Sequence, residues 1–201
     1  VQVHLEQVRR ELFPLARQNL VIPNPEFFDP HVLKKLKNLH AVCCKTHYAC
    51  DLFSAYPARV RHVGFTSGDR SLPDCPKDYR KALHLAGKSD WKGTMELLEA
   101  WRRHPEWPEL KVVWSPLDTY GKPRRRLQGA ENIRIFHEYL SEPELLRLVN
   151  TCGLHLCPSQ TEGFGHYIVE GLSSGAVVVS TDAPPMNELV RPEYGFLAAA
   201  E

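Results

Sequence analysis

Residues Thr161 to Leu172 read TEGFGHYIVEGL. Two carboxylates, Glu162 and Glu170, stand eight positions apart, and a Gly163-Phe164-Gly165 turn between them leads into an apolar run with helical spacing. Main-chain N–H groups at a helix start lack intrahelical partners and are backed by the positive end of the helix dipole, so they can meet an anion. Glycine lets a ligand approach that main chain closely. The flanking acids can accept hydrogen bonds from hydroxyl groups. If the whole stretch were helical, a rise of ~1.5 Å per residue would separate the acids by about 12 Å. That span suits a ligand with two polyol ends, such as two sugar rings joined by a diphosphate. It disfavours glycoside hydrolysis by this pair, which needs carboxylates roughly 5 Å apart for retention or under about 10 Å for inversion. Taken alone, either acid reads as a helix cap or a solvated side chain.

These residues need elements to hold them. LVIPN (20–24), HAVCCKT (40–46) and VRHVGFT (60–66) read as strands. Helices are expected from the Asp29-Pro30 cap through HVLKKLKNL and over HYACDLFSAY (47–56). The stretch 67–80, SGDRSLPDCPKDYR, has no apolar period and reads as a linker. A second alternation follows. Strands are expected at KALHLAG (81–87), LKVVWSP (110–116), from Asn132, at LHLCPS (154–159) and at AVVVST (176–181). Helices are expected at 93–104, after a Ser141/Glu144 capping box with Gly153 at its end, over GHYIVEGLSS ending at Gly175, and briefly over PPMNELV. Near-continuous apolar strands alternating with helices imply an α/β fold with a mostly parallel sheet covered on both faces. Residues 1–66 would form one α/β domain, truncated on its N-terminal side, and 81–201 a second.

Open parallel sheets bind ligands outside the carboxyl ends of their strands. In the second alternation those ends supply Lys88 and Lys92, then His137 and Tyr139, then Ser159 to Glu162, then Thr181 and Asp182. Each lysine alone reads as a solvated loop residue. Gathered on one rim with hydroxyls, acids and a helix start, they suit a ligand carrying phosphate and many hydroxyls.

The bulk properties set outer bounds. The 201 residues carry a net charge of +1, which gives no drive toward nucleic acid or an anionic membrane. The basic run Lys122 to Arg126 reads as a solvated loop. None of the six cysteines forms a C-x-x-C pair, and they read as free thiols of a reducing compartment. Cys152 and Cys157 would face opposite ways on a strand, so no metal site is expected. No apolar run reaches membrane-span length and no signal peptide is visible, so a cytoplasmic location is expected. Val1 is not an initiator Met and EYGFLAAAE stops in what reads as a turn, so a piece of a longer protein is expected, inactive by itself.

PSQTEGFGHYIVEGLSSGAVVVSTDAPPMNELV resembles the E-x7-E region of glycosyltransferase family 4, the retaining nucleotide-sugar transferases of GT-B fold. HLAGKSDWKGTMELLEAW resembles that family's glycine–basic–lysine–glycine segment, and ENIRIFHEYLSEPELLRLVNTCGLHLCPS the stretch between, so the likeness covers about residues 81–200. It implies a Rossmann-like donor domain preceded by the tail of an acceptor-side domain. Glu162 then contacts donor-sugar hydroxyls and Glu170 the nucleotide ribose. Gly163, Phe164 and Gly165 form the turn whose amides meet sugar and diphosphate. Lys92 neutralises the diphosphate, and Lys88 stands where an arginine is common, at slightly shorter spacing. The backbone from His137 past Tyr139 borders the base, Thr181 lies on the same rim, and Glu188 holds the loop after Asp182. The resemblance further implies a UDP- or GDP-sugar donor, no obligatory cofactor or metal, an acceptor hydroxyl on a glycan, lipid or protein, and front-face attack without a protein nucleophile. The alternative is a domain of the same fold that binds nucleotide-sugar without transfer. A dinucleotide oxidoreductase would need a Gly-x-Gly-x-x-Gly after the first strand, which AGKSDWKG does not supply.

Overall fold

The apolar runs form two sheets in which every described strand pairing is parallel. The computed structural model describes residues 1–29, 31, 38–55 and 59–200. It divides into two compact units, one of Val1–Thr66 with Thr161–Gly165, the other of Ser67–Gln160 with His166–Glu201.

The first unit holds β1 (Gln2–Leu5), β2 (Asn19–Ile22), β3 (Leu39–Cys44) and β4 (Arg59–His62), side by side in that order. Helix α1 (His47–Phe53) starts at Thr46, whose Oγ1 accepts from the Ala49 N–H at 3.2 Å. Ala49 and Phe53 of this helix pack on Val21, Val42 and Cys44 of the sheet. Burial pushes the Cys43 and Cys44 thiols up, Cys44 to about 12, so neither is a ready thiolate. The helix expected over HVLKKLKNL lies mostly outside the described residues.

The second unit holds β5 (Asp78–Gly87), β6 (Glu109–Trp114), β7 (Ile133–Phe136), β8 (Cys152–Cys157), β9 (Val177–Asp182) and β10 (Gly195–Ala199). Their spatial order is β10-β9-β8-β5-β6-β7, which is 3-2-1-4-5-6 when counted within this sheet. That is the doubly wound dinucleotide-type order, with its reversal between β5 and β8. Helices α2 (Thr94–Arg103), α3 (Glu142–Thr151) and α4 (His166–Ser173) cover it. Strand side chains alternate between faces. Ala82 and Ala86 meet Leu98 and Trp101 of α2, while Leu83 meets Leu148 and Val149 of α3. Ile168 of α4 packs with Cys157 and Val178. The capping box of α3 is formed, the Ser141 N–H donating to Glu144 Oε2 at 2.8 Å.

Four expectations need adjustment. β5 begins at Asp78, inside the stretch read as a linker. Gly153 does not end α3 but lies within β8, because Cys152 is already extended at φ −82°, ψ 120°. PPMNELV makes only a single 3-10 turn, Met186–Glu188. The turn expected at the end of the chain is β10, paired along β9. Among the described residues no helix is long and apolar enough to cross a membrane.

Candidate functional site

The reversal between β5 and β8 is built tightly. Gly93 follows β5 with φ +64°, and a Cβ there would overlap the Pro158 carbonyl oxygen just beyond β8. The Gln160 N–H donates to the Trp91 carbonyl at 2.9 Å. Under this junction lies His84, fully buried in β5. Its Nδ1 meets the Leu156 carbonyl at 2.8 Å and therefore carries the hydrogen. Its Nε2 then accepts from Thr94 Oγ1 at 2.8 Å, fastening the start of α2 to the end of β8. Burial lowers the His84 pKa from 6.5 to about 4, so the ring is neutral near pH 7. Sequence reading passed over His84 and Thr94, although a histidine inside the apolar run KALHLAG was the available signal.

Lys92 closes a single 3-10 turn, Asp90–Lys92, between β5 and α2. Its ammonium lies 3.8 Å from the centroid of the Tyr167 ring on α4, a cation–π distance. The Tyr167 hydroxyl shares a 2.6 Å hydrogen bond with Ser159 Oγ. Lys88 is exposed at the β5 end, and its carbonyl accepts from Thr119 Oγ1 at 3.0 Å. The basic run nearby is not simply a solvated loop. Arg124 is mostly buried, stacks 4.1 Å from the Trp114 ring centroid, pairs with Asp90 and donates to the Gly87 carbonyl at 3.2 Å. Arg125 and Arg126 are exposed as expected.

The turn Glu162 to Gly165 precedes α4, which begins only at His166. Gly165 has φ +106°, outside the helical region, so the fully helical spacing assumed for the two acids does not apply. Within the first unit this turn is close-packed. A Cβ on Gly163 would overlap the Asn24 side chain, and the buried Phe164 ring meets Phe65 edge to face at 5.3 Å. Glu162 is 8% exposed. Lys45, at the end of β3, donates to Asn24 Oδ1 and lies 5.3 Å from the Phe65 ring centroid. Burial lowers its pKa, against the opposing pull of Glu6 and Glu26. His47 and His62 stack at 4.0 Å. Asn24 and Lys45 carried no motif signal in the sequence.

In the second unit, Glu170 Oε1 accepts from Ser67 Oγ at 2.8 Å, and its Oε2 lies 3.5 Å from Arg70 Nε. Both partners come from the stretch read as a linker. His137 Nε2 donates to the Leu127 carbonyl at 2.9 Å, and Tyr139 is 92% exposed. Both line a cavity of about 320 Å³ with Arg126, Arg134 and Glu144. Thr181 Oγ1 donates to the Ser159 carbonyl at 2.8 Å, tying the β9 end to that of β8. Asp182 Oδ1 accepts from Asn187 Nδ2 at 3.1 Å, beside Glu188 in the loop after β9.

The chain is similar in fold to sucrose-phosphate synthase from Thermosynechococcus elongatus, at TM-score 0.69 and 18% identity over 90% of this chain and 55% of that one. It is similar to Anabaena HepE, solved in complex with UDP and glucose, at TM-score 0.69 and 18% identity over 94% of this chain and 59% of that one. It is also similar to WaaG, a glycosyltransferase involved in lipopolysaccharide biosynthesis, at TM-score 0.65 and 15% identity over 94% and 66%. Other matched structures are covered to 47% and 43%, so the chain spans about half the length of the solved proteins it matches. The fold is of the GT-B type. No curated protein matches the sequence. The profile of the group 1 glycosyl transferases matches residues 73–201, and by that match the chain belongs to the group 1 glycosyl transferases.

Proposed function

We propose that this chain carries the donor side of a retaining, family 4 type glycosyltransferase. It moves a sugar from a nucleoside diphosphate to an acceptor hydroxyl. The observation that carries this reading is the reversal of strand order between β5 and β8, where Lys92 and the two fastened loops occupy the position at which doubly wound sheets bind nucleotides. Family membership supplies the reaction class, and HepE, a structural neighbour, holds UDP and glucose.

As the glycosidic bond breaks, charge grows on the leaving diphosphate. Lys92, with Lys88 at the mouth, supplies fixed positive charge there. By the family resemblance, the amides of Gly163 to Gly165 are assigned to sugar and diphosphate. Glu162 accepts from donor-sugar hydroxyls and Glu170 from the ribose. The main chain past His137 and Tyr139 borders the base, and Thr181 braces the rim. The proton of the acceptor hydroxyl passes to the departing phosphate on the same face, so configuration is retained. UDP or GDP is the nucleotide class. Residues 1–66 belong to the acceptor-side domain, 67–77 to the passage between domains, and the donor domain begins with β5 at Asp78. The 201 residues alone are inactive, and the acceptor is a glycan, lipid or protein hydroxyl met in the cytoplasm.

The test is a screen of UDP-, GDP- and ADP-sugars on the complete protein. Nucleotide release is followed with and without acceptor, and the product anomer is read by NMR. Acceptor-dependent release with the donor's anomer preserved is expected for one nucleotide. Nucleotide binding without release for any donor would instead identify a binding module, and an inverted product would remove the retaining mechanism.

A further inference from the structure

Glu170 is more elaborately held than a solvated helix glutamate would be. Its side chain is 20% exposed and that of its partner Arg70 27% exposed, so water screens the pair only weakly. Oε1 accepts from Ser67 Oγ at 2.8 Å, and Oε2 faces Arg70 Nε at 3.5 Å. The other arm of the Arg70 guanidinium pairs with Glu142 at the start of α3.

The backbone of this segment is fixed as firmly as its side chains. The Arg70 N–H donates to Ser173 Oγ at 3.0 Å, and that hydroxyl donates to the Glu170 carbonyl at 2.9 Å, one turn back on α4. The Arg70 carbonyl accepts from Asn150 Nδ2 at 2.6 Å, and the Leu72 N–H donates to Asn150 Oδ1 at 2.9 Å. Asn150 is 1% exposed on α3. A strap without regular structure is thus bolted across two helices so that one hydroxyl and one guanidinium reach one carboxylate.

We propose that Ser67 and Arg70 are positioning residues that prepare the Glu170 carboxylate to receive a vicinal diol, the 2′- and 3′-hydroxyls of a nucleotide ribose. The inference rests on the reading of Glu170 as the ribose contact and adds the residues that make it selective. A carboxylate offers about four acceptor sites on its two oxygens. Ser67 and Arg70 direct one donor to each oxygen, which leaves one site on each for the two hydroxyls of a diol. The Arg70 cation lies beside the carboxylate, and the strap fixes its rotamer. A merely structural ion pair would tie down the segment without making any nucleotide preference depend on it.

Isothermal titration on the complete protein separates these roles. The probes are UDP and 2′,3′-dideoxy-UDP, or the guanosine pair if the donor screen selects it. Wild type is expected to favour the ribose form by about tenfold or more, the scale set by two hydrogen bonds to a charged acceptor. Ser67→Ala and Arg70→Gln are each expected to reduce that preference to about threefold or less, leaving the dideoxy affinity within about twofold of wild type. Arg70→Lys, which keeps the charge but not the planar fork, is expected to fall between. Should Arg70→Gln fail to fold, Ser67→Ala carries the same comparison. If both variants keep the wild-type preference while Glu170→Gln abolishes it, the positioning role is wrong and the ribose reading stands. If Glu170→Gln keeps the preference, or wild type shows none, the ribose reading falls and the inference with it.

Discussion

The Lys92 ammonium rests 3.8 Å from the Tyr167 ring centroid, and Tyr167 is in turn held through its hydroxyl by Ser159. A flexible lysine is thereby pre-ordered, so less side-chain entropy remains to be lost when an anion arrives. Removing the charge should act where diphosphate charge develops. Lys92→Ala is expected to lower kcat/KM by about 10²-fold, on the scale of deleting one electrostatic stabiliser, with a far smaller change in thermal midpoint. Steady-state kinetics beside a melting curve would check this, and wild-type kinetics would remove Lys92 from the site. The two acids should behave differently. Glu170→Ala is expected to weaken nucleotide affinity by about tenfold. Glu162→Ala should reduce turnover with little change in nucleotide affinity, because its proposed partner is the sugar and not the nucleotide. Equal effects of the two variants on free-nucleotide binding would contradict the division of roles. The Phe164 ring is 4% exposed, so its side chain is packing and only the main chain of that turn is available to a ligand.

At the scale of elements, the junction of β5, α2 and β8 depends on one backbone conformation. Gly93 sits in the left-handed region at φ +64° with the Pro158 carbonyl where a side chain would be. Gly93→Ala must strain the turn and push the two strand ends apart. A loss of about 1–3 kcal/mol is expected from a denaturant midpoint, together with weakened nucleotide binding. Unchanged stability would mean that the two loops part without cost. This junction also marks how far the sequence could be read. The strands and helices of the second unit were legible because apolar runs and helical periods stand out locally, and so was the position of Lys88 and Lys92 just beyond a strand. Gly153 was misread because glycine after a helix usually marks its end, whereas here Tyr79 packs over it and leaves no room for a Cβ. β1 and β10 went unread because four or five residues beside turns give too short a pattern. Ser67 and Arg70 looked like linker residues because their partner Glu170 lies about a hundred positions away. Arg124 looked solvated for a similar reason, since Asp90 and Trp114 meet it only in the fold.

For the whole molecule, the two central strands of the larger sheet each bury a histidine, one under α2 and one under α4. His84 bonds to Leu156 and Thr94. His155 donates from Nε2 to the Val149 carbonyl at 2.9 Å, and its ring lies where a Cβ on Gly171 would stand. Burial, the largest cause in both, lowers each pKa from 6.5 to about 4. In the unfolded chain these rings take up protons as the pH falls below 6.5, while the folded rings stay neutral until about 4. Stability from this source is therefore full above pH 6.5 and is lost progressively down to about pH 4. Each ring contributes a slope of up to about 1.4 kcal/mol per pH unit in that window, so the pair makes the fold acid-sensitive before most carboxylates begin to titrate. Melting curves collected from pH 7.5 to 4.5 should show a midpoint that drops below pH 6.5, with a shallower drop in His84→Asn and in His155→Asn. The same dependence would appear in nucleotide affinity only if His84 opens, because of the two rings His84 is the one at the junction beside Lys92. A midpoint flat between pH 7 and 5 would show that both rings take up protons in the folded protein as readily as in the unfolded chain, and the clamp between α2 and β8 would have to be redrawn.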